Sequence, residues 1–581
     1  MVAWGEVIRW SPEPLAELVG VLNNRYNQLI GCADELRGTA MPEGWSGPAA
    51  NAAAAKANQL ADDAEELAAE GAMLRRAAGD VSDAITGVLH GVTEAQSLAA
   101  AHEFRIDDDG SVIDHGPAPV CTESDPDGSQ ATADRQRIAV ELQDRVKEVL
   151  RSAEDVDNDF CAVLDRILSS HVLVPGSDGT DLAAVGNSGW PLGSLSIPAP
   201  PPTGATPADN AAWWATLSPN QRTVLLHDHP ELLGNRDGLP GDTRSKANMA
   251  RIPGERAAIQ QQIDTANQQL AELSNQSELS PGAIQHIQDE IDQLEAKLGS
   301  LDSIEATMHR PGERQLLTLD TSGDRLKAAV AVGNVDTAKN VAVFTPGFTS
   351  TVDRSLSGYD NDMQNLQQHA QSLSDRYGDG GQVATVTWMG YEAPQWDGVL
   401  DGDQSVASDH LARVGAEKLD GFLNGLGASH DSTRQPLHLT ALGHSYGSLT
   451  TGLALQRDTP VNDAVVFGSP GLDADQRSDL KVPDGHLFSA MSDQDSVPKL
   501  DVLNHFGISP YDMAGIDRVD TGNAISVDGT PLGATHTHSE YLQEGSTSQY
   551  NMAAIVAGRP DLRVSYMPPP ASPAPQPPVH R

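Results

Sequence analysis

The chain has 581 residues, and at roughly 100–200 residues per domain this length predicts about three domains, or one large domain with additions. Its 38 Lys and Arg residues against 81 Asp and Glu residues give a formal net charge of −43, which repels nucleic-acid phosphates and anionic lipid headgroups. We therefore expect no nucleic-acid partner and no polybasic membrane contact. The three cysteines, Cys32, Cys121 and Cys161, are too few and too far apart for a disulfide framework or a Cys-rich zinc site.

The sequence lacks the patterns of a membrane span and of a secretory signal. No stretch approaches the roughly 18 consecutive apolar residues of a transmembrane helix. Residues 1–14 carry Glu6, Arg9 and Glu13, and they lack the basic start, apolar run and small-residue cleavage site of an exported precursor. We therefore expect no transmembrane segment and, by default, a cytoplasmic location.

Residues 11–100 have the periodicity of a helical hairpin. Pro14 lies just inside a helix start, and the apolar residues that follow it recur at helical spacing. The pattern is interrupted at 41–48 and resumes over 52–101, so Trp45-Ser46-Gly47 is predicted at the turn. An ordinary helical turn with a buried Trp45 is the alternative interpretation.

A Trp-x-Gly turn between two helices resembles the WXG-type hairpins associated with type VII (ESX) secretion. The resemblance implies a helical protein partner for residues 1–174 and export by a type VII system. The chain departs from that family in one respect, because the family's export signal is a Tyr-x-x-x-Asp/Glu element after the second helix. Here the first tyrosine after Tyr26 is Tyr359, so the element is missing from the hairpin.

The sequence predicts that the helical domain continues to residue 174 and is followed by a linker. Asp109-Gly110 between apolar residues predicts a small β-hairpin, and a helix over 134–170 has its apolar residues near one face. Residues 175–207 are rich in Gly, Ser and Pro, a composition typical of a spacer between domains. We therefore predict an all-helical domain at 1–174 and a linker at 175–207.

Residues 208–313 are predicted to form a helical region that leads into the next domain. Trp213-Trp214 opens a helical stretch over 211–228, and apolar residues at helical spacing indicate a helical hairpin over 254–308. Ser280-Pro281-Gly282 marks its turn. A packed antiparallel arm is the simplest interpretation of this hairpin, and a lid or a partner surface is the alternative.

From residue 314 the pattern changes to alternating strands and helices. Helices are predicted at about 356–376, 405–426 and 447–456. This alternation predicts an α/β fold with a mostly parallel sheet over 314–566, followed by a disordered Pro-rich tail at 567–581. The predicted strands are short apolar runs at 316–319, 326–332, 341–344, 383–388, 437–442, 464–467 and 486–491.

The motif Gly443-His444-Ser445-Tyr446-Gly447 is the strongest chemical signal in the chain. The bare pattern G-x-S-x-G is weak, but here it directly follows an apolar strand and directly precedes a helix. That is the setting of a nucleophile elbow, in which the glycines permit a tight turn and keep the serine hydroxyl exposed. We therefore predict that Ser445 is a catalytic nucleophile.

A nucleophilic serine needs a base, and the base needs an orienting carboxylate, in the chain order serine, acid, histidine. Asp495 follows the predicted strand at 486–491 and is our choice of acid, with Asp493 the alternative. Loop histidines beside Thr and Ser, such as His536 and His538, have little structural rationale, and His538 is our choice of base with His536 the alternative. Two further candidates are His505 and His486, although His486 falls within a predicted strand.

An oxyanion hole requires two backbone donors. One is expected to be the N–H of Tyr446, immediately after the nucleophile. The second is expected from Phe348, because a predicted strand at 341–344 is followed by Pro346-Gly347, whose glycine lets the backbone approach a ligand. Thr349 is the neighbouring alternative.

Several motifs together resemble an actinobacterial α/β-hydrolase family of largely unassigned function, often preceded by a WXG-like helical region. The resemblance covers about residues 208–560. It implies an α/β-hydrolase fold behind a separate all-helical domain, with Ser445, Asp495 and His538 as the triad, and it implies no particular substrate. The motifs are Trp213-Trp214, Gly234–Pro240, Arg244 with Ala247-Asn248, Pro346-Gly347, Gly443–Gly447, and His538-Ser-x-Tyr541.

Two functions follow from the sequence. The first is a serine hydrolase that cleaves a small-molecule or lipid ester, without a metal or cofactor. No metal-ligand pattern accompanies the motif, and His227 and His229, two residues apart, do not share a helix face. The alternative is a non-catalytic hydrolase fold that serves as partner or substrate of a type VII secretion system.

Overall fold

The computed structural model of the chain forms two compact units. The first comprises the described residues within 1–118 and 134–228, and the second those within 119–133 and 229–581. The predicted disordered tail, 567–581, and most of the predicted linker, 175–194, lie outside the described residues. The structure describes residues 2–40, 44–117, 128–169, 195–274, 281–398, 402–433, 436–500 and 506–566.

The first unit is helical and contains the predicted hairpin. Trp45, at the turn, is 46% exposed, so it is not the buried tryptophan of the alternative interpretation. The predicted β-hairpin at Asp109-Gly110 is confirmed, since the two strands beside it pair antiparallel. The elements are α1 (Trp4–Val7), α2 (Glu13–Thr39), α3 (Pro48–Ala101), β1 (Phe104–Ile106), β2 (Val112–Asp114), α4 (Ser129–Ser169), α5 (Pro207–Thr216) and α6 (Pro219–Asp228).

Residues 195–228 belong to this helical unit, whereas the sequence predicts that 208–228 follow the linker and lead into the next domain. The indole of Trp213 is fully buried and its Nε1 donates a hydrogen bond to the carbonyl of Pro198 at 3.0 Å. The hydroxyls of Ser152 in α4 and Thr216 in α5 lie 2.9 Å apart and are buried. Burial of the large indole therefore holds both α5 and the end of the predicted linker against this unit.

The second unit begins with the predicted helical hairpin, formed by α7 (Gly241–Ser274) and α8 (Pro281–Met308). The hairpin starts earlier than predicted, at Gly241 instead of residue 254. Apolar side chains of both helices, including Ile259 and Leu301, share a buried cluster with Leu316 and Val330 of the following strands. At least this part of the hairpin is a packed arm, because its apolar face is covered by the sheet.

Among the described residues, the sheet of the second unit has eight strands, and all seven strands predicted from the sequence belong to it. Its order is β10-β9-β8-β7-β5-β6-β4-β3, with β4 antiparallel to both of its neighbours and every other pairing parallel. The mostly parallel α/β fold predicted from the sequence is therefore confirmed. The strands are β3 (Arg314–Asp320), β4 (Lys327–Val332), β5 (Asn340–Thr345), β6 (Val383–Met389), β7 (His438–His444), β8 (Asp463–Phe467), β9 (Leu487–Ala490) and β10 (Asp517–Arg518).

Helices cover both faces of this sheet, as a parallel sheet requires. In β5, Val341 and Val343 face a cluster that includes α10 and α11, whereas Ala342 and Phe344 face a cluster that includes α9 and α13. The three predicted helices are confirmed as α9, α10 and α11. The remaining elements are α9 (Val352–Tyr377), α10 (His410–Thr433), α11 (Tyr446–Leu455), α12 (Val497–Leu500), β11 (Ala524–Ile525), β12 (Pro531–Leu532) and α13 (Thr547–Val556).

The strand order places a crevice at the carboxyl ends of β5 and β7. The chain leaves β5 for β6 on one side and then crosses to β7 on the other, and β5 pairs with both. In open α/β sheets, ligands bind where the strand order reverses in this way. Within the described residues, no helix combines the length and the apolar character that crossing a bilayer requires.

Candidate active site

Ser445 lies at the carboxyl end of β7, in the turn that leads directly into α11. Its backbone has φ 54° and ψ −132°, a conformation that costs a non-glycine residue about 1–3 kcal/mol. Gly447 makes this turn possible, since a Cβ at that position would lie 2.2 Å from the carbonyl oxygen of Thr345. The strand, the strained serine and the helix together have the geometry predicted for a nucleophile elbow.

Asp495 and His538 are brought together from two loops of the second unit. The Nδ1 of His538 lies 2.9 Å from Oδ2 of Asp495, and the aspartate side chain is fully buried. A carboxylate can only accept here, so Nδ1 carries the proton in this pairing, and the Nε2 of neutral His538 is left as the basic nitrogen. This is the arrangement of an oriented general base.

The carboxylate of Asp495 is kept ionised by its hydrogen bonds. Burial alone would raise its pKa, but bonds from His538, from the amide of Val497 at 2.9 Å and from the Tyr541 hydroxyl at 2.8 Å lower the pKa below the usual value. Tyr541 also accepts a hydrogen bond from the amide of Ser492 at 2.8 Å. The Tyr541 hydroxyl therefore links the carboxylate of Asp495 to the backbone just after β9 through two hydrogen bonds.

The alternatives for the acid and the base differ in burial and in hydrogen-bond partners. Asp493 is exposed, two residues before the buried Asp495. His536 is also exposed, and its backbone amide donates to Glu540. His486 instead binds Asp463 through Nδ1, at 2.7 Å, near the opposite end of the strands. The fourth candidate, His505, lies outside the described residues.

The two predicted oxyanion donors come from the loop after β5 and from the start of α11. Gly347 lies so close to the elbow that a Cβ there would be 2.8 Å from the amide nitrogen of Tyr446. The alternative donor Thr349 has φ 65° and already donates its N–H to Pro394 at 2.9 Å. No described residue accepts a hydrogen bond from the N–H of Phe348 or of Tyr446. Both amides therefore meet the first requirement for binding an oxyanion.

A cavity of about 560 Å³ contains both Ser445 and His538 in its lining. Most of its wall is apolar or aromatic, and Trp396, 77% exposed, packs edge-on against Phe348 with ring centroids 4.7 Å apart. A pocket that is apolar with few polar groups is typical of a small-molecule binding site. The other lining residues are Phe344, Gly347, Thr349, Tyr359, Asp362, Val406, His444, Phe467, Val497, Ser539, Tyr541 and Leu542.

Two titratable groups of this cavity were not assigned a role from the sequence. Burial lowers the pKa of His444 to about 3, so its imidazole is neutral, and its Nε2 lies 2.9 Å from the carbonyl of His538. Burial raises the pKa of Asp362 to about 6. The place of His444 inside the Gly443–Gly447 motif is a sequence signal that could have indicated it. Asp362 has no such signal, because it is one of several polar residues on a long helix. Tyr541 was noted in the His538-Ser-x-Tyr541 motif without a role.

Comparison with known proteins supplies a family for this fold and site. A sequence model described as alpha/beta hydrolase matches residues 321–505, a range that includes Ser445 and Asp495 and ends before His538. The uncharacterized protein Rv0963c of Mycobacterium tuberculosis is 35% identical over 235 residues, which are 40% of this chain and 85% of that protein. The uncharacterized protein Mb0988c of Mycobacterium bovis has the same identity over the same length, with the same share of each chain covered.

A longer match extends further along the chain. The uncharacterized protein Rv2079 of Mycobacterium tuberculosis is 29% identical over 401 residues, which are 64% of this chain and 58% of that protein. The names of these relatives give no substrate.

Proposed function

Because the chain belongs to the alpha/beta hydrolase family, we propose that it is a serine hydrolase that cleaves an ester by acyl transfer to Ser445. The observation that carries the proposal is the 2.9 Å hydrogen bond between His538 and the fully buried Asp495, in a cavity that Ser445 also lines. Unlike the histidines that pair with the buried Asp463, His538 lines the same cavity as a serine held in a strained turn.

In the acylation step, the hydroxyl of Ser445 attacks the ester carbonyl carbon while Nε2 of His538 takes its proton. The imidazolium that forms is stabilised by Asp495, which itself stays unprotonated. When the tetrahedral intermediate collapses, the bond to the alcohol breaks and His538 donates the proton to the leaving oxygen. The acyl group remains on Ser445 as an ester.

In the deacylation step, water takes the place of the alcohol. His538 removes a proton from the water, whose oxygen attacks the acyl carbon, and then returns the proton to Ser445. The products are one carboxylic acid and one alcohol for each water consumed. In both steps the amides of Phe348 and Tyr446 would donate to the negative oxygen, a contribution of roughly 10²–10³ in rate per donor in other serine hydrolases.

A fluorophosphonate probe, which reacts covalently with activated serines, tests the proposal on the full chain. The wild-type protein should be labelled, and Ser445→Ala should not. Ser539→Ala is the matched control, because Ser539 is an exposed serine that lines the same cavity and should not affect labelling. Equal labelling of wild type and Ser445→Ala would overturn the assignment.

Turnover of p-nitrophenyl esters distinguishes an enzyme from the non-catalytic scaffold that the sequence left as an alternative. We expect hydrolysis that depends on Ser445, and acyl chains of increasing length would define the chain length that the cavity accepts. A labelled but inactive wild-type protein would favour the scaffold. The predicted helical partner for residues 1–174 and the predicted type VII export stay predictions, which deletion of the secretion system would test.

A further inference from the structure

Asp362 places a carboxylate in the wall of the candidate active-site cavity. It lies on α9, one helical turn after Tyr359, and both side chains line the cavity that contains Ser445. Within the described part of the chain, no side chain or amide donates a hydrogen bond to Asp362 and no cation pairs with it. Burial raises its pKa to about 6, so the group is still mostly ionised at neutral pH. A half-buried carboxylate without a partner is costly, and it is the kind of group that a ligand can satisfy.

The surroundings of Asp362 favour a positively charged ligand. The cavity wall is rich in aromatic rings, and the faces of Phe, Tyr and Trp attract ammonium groups. The formal charge of −43 gives the molecule a negative potential that attracts cations and repels anionic substrates. The aromatic residues of the lining are Phe344, Phe348, Tyr359, Trp396, Phe467 and Tyr541.

We propose that Asp362 is a specificity-determining residue that selects esters carrying a positively charged ammonium group near the scissile bond. A neutral hydroxyl would satisfy only one lone pair of the carboxylate, whereas the charge of an ammonium group, with or without N–H bonds, offsets the charge of the carboxylate. The inference rests on the proposed function, since it assumes that the ester is cleaved at Ser445. It adds the class of substrate, which neither the family nor the triad specifies.

Two matched substrate pairs test the inference on the full-length protein. The first pair is acetylthiocholine and the thioester in which a tert-butyl group replaces its trimethylammonium group. The second pair is the p-nitrophenyl ester of a trimethylammonio acid and its tert-butyl counterpart. The first pair places the charge on the leaving group and the second places it on the acyl group, so both sides of the scissile bond are covered.

The expected result is a preference in kcat/KM of about tenfold for the charged member of at least one pair. In Asp362→Asn this ratio should fall to about one. Asp375→Asn is the matched control, because it removes one charge from an exposed position of the same helix and should leave the ratio unchanged. Thermal unfolding of Asp362→Asn should show no loss of stability, because the variant removes a half-buried charge that has no described partner.

The outcomes separate this inference from the proposed function. Hydrolysis of the neutral esters with no preference in either pair would overturn the inference and leave the serine hydrolase intact. A preference that survives in Asp362→Asn would also overturn it. If the wild-type protein hydrolyses none of the esters, the proposed function itself fails. Absence of a preference in the wild-type protein overturns the inference by itself, so the inference can be refuted even if the variant does not fold.

Discussion

The backbone of Gly347 lies directly against Ser445: a Cβ added at position 347 would be 2.7 Å from the Cβ of the serine. The two residues come from loops that follow different strands, β5 and β7, whose last paired residues, Thr345 and Gly443, lie opposite each other. The parallel pairing of these strands therefore places the predicted oxyanion loop next to the predicted nucleophile. Only a residue without a side chain permits an approach this close.

Gly347→Ala should therefore reduce catalysis strongly. The added methyl group would force the loop away from Ser445 and misplace the amide of Phe348, so we expect kcat/KM to fall by roughly 10²–10³. Crowding should lower the free energy of unfolding by about 1–3 kcal/mol. Gly358→Ala is the matched control, because a Cβ there meets nothing within 4 Å. Ester hydrolysis close to wild type in Gly347→Ala would contradict the assigned oxyanion loop.

Asp495→Asn should abolish most of the activity while preserving the shape of the site. An amide cannot stabilise the imidazolium and can hold His538 in the wrong tautomer, so we expect kcat to fall by about 10⁴. Asp493→Asn, the alternative acid, should retain near wild-type kcat because that residue is exposed. The measurement is steady-state hydrolysis of a p-nitrophenyl ester, and a larger loss in Asp493→Asn would reverse the assignment.

Tyr541→Phe should change both stability and the pH profile. The variant leaves the amide of Ser492 without its acceptor and removes one donor from Asp495, so we expect unfolding to become easier by about 1–3 kcal/mol. The hydrogen bond from Tyr541 lowers the pKa of Asp495, and its loss raises that pKa. The acid limb of the kcat/KM profile should consequently move to higher pH.

The matched control for this prediction is Tyr550→Phe. Tyr550 is also buried, and its hydroxyl bonds the backbone of Val527 and Leu562 away from the catalytic groups. Its removal should lower stability without moving the acid limb. An unshifted profile in Tyr541→Phe would show that the tyrosine does not influence the ionisation of Asp495.

A pH-dependent contribution to stability is expected from Asp463. This residue is buried and accepts hydrogen bonds from His438 and His486, each at 2.7 Å. Burial alone would raise the pKa of Asp463, but the two histidines lower it, and the aspartate raises the pKa of His486. The contribution of His486 is fully present below its unfolded pKa of about 6.5 and is lost as pH rises through its folded pKa.

Asp463→Asn should therefore lower the thermal unfolding temperature more at pH 5 than at pH 8. At pH 5 both the carboxylate and the His486 cation are charged in the wild-type protein, so the substitution removes the full interaction. Asp475→Asn is the control for loss of one exposed charge. A destabilisation that is equal at the two pH values would show that His486 does not titrate against Asp463.

The amino-acid sequence by itself was sufficient for the sheet and for the turn that contains Ser445. Strands that are buried on both faces are continuous apolar runs, so the seven longer strands could be located along the chain. The two-residue strand β10 was not predicted, because it is too short to have a periodicity. The Gly443–Gly447 turn was also predictable, since a nucleophile elbow is a local structure whose strand, glycines and helix are adjacent in sequence.

Only the tertiary structure distinguished residues that are equivalent in their local sequence. Asp493 and Asp495 lie in one loop, as do His536 and His538, and nothing local separates the members of each pair. Their difference is burial, which depends on packing between segments far apart in the chain.

The same reason explains what the sequence did not reveal. The carboxylate of Asp362 faces the cavity because α9 packs on the sheet, and residues 208–228 join the helical unit because Trp213 is buried there. Local sequence thus determined the elements and the turn that contains Ser445, whereas long-range packing determined which polar groups surround that serine, since burial and charge environment are properties of the folded chain.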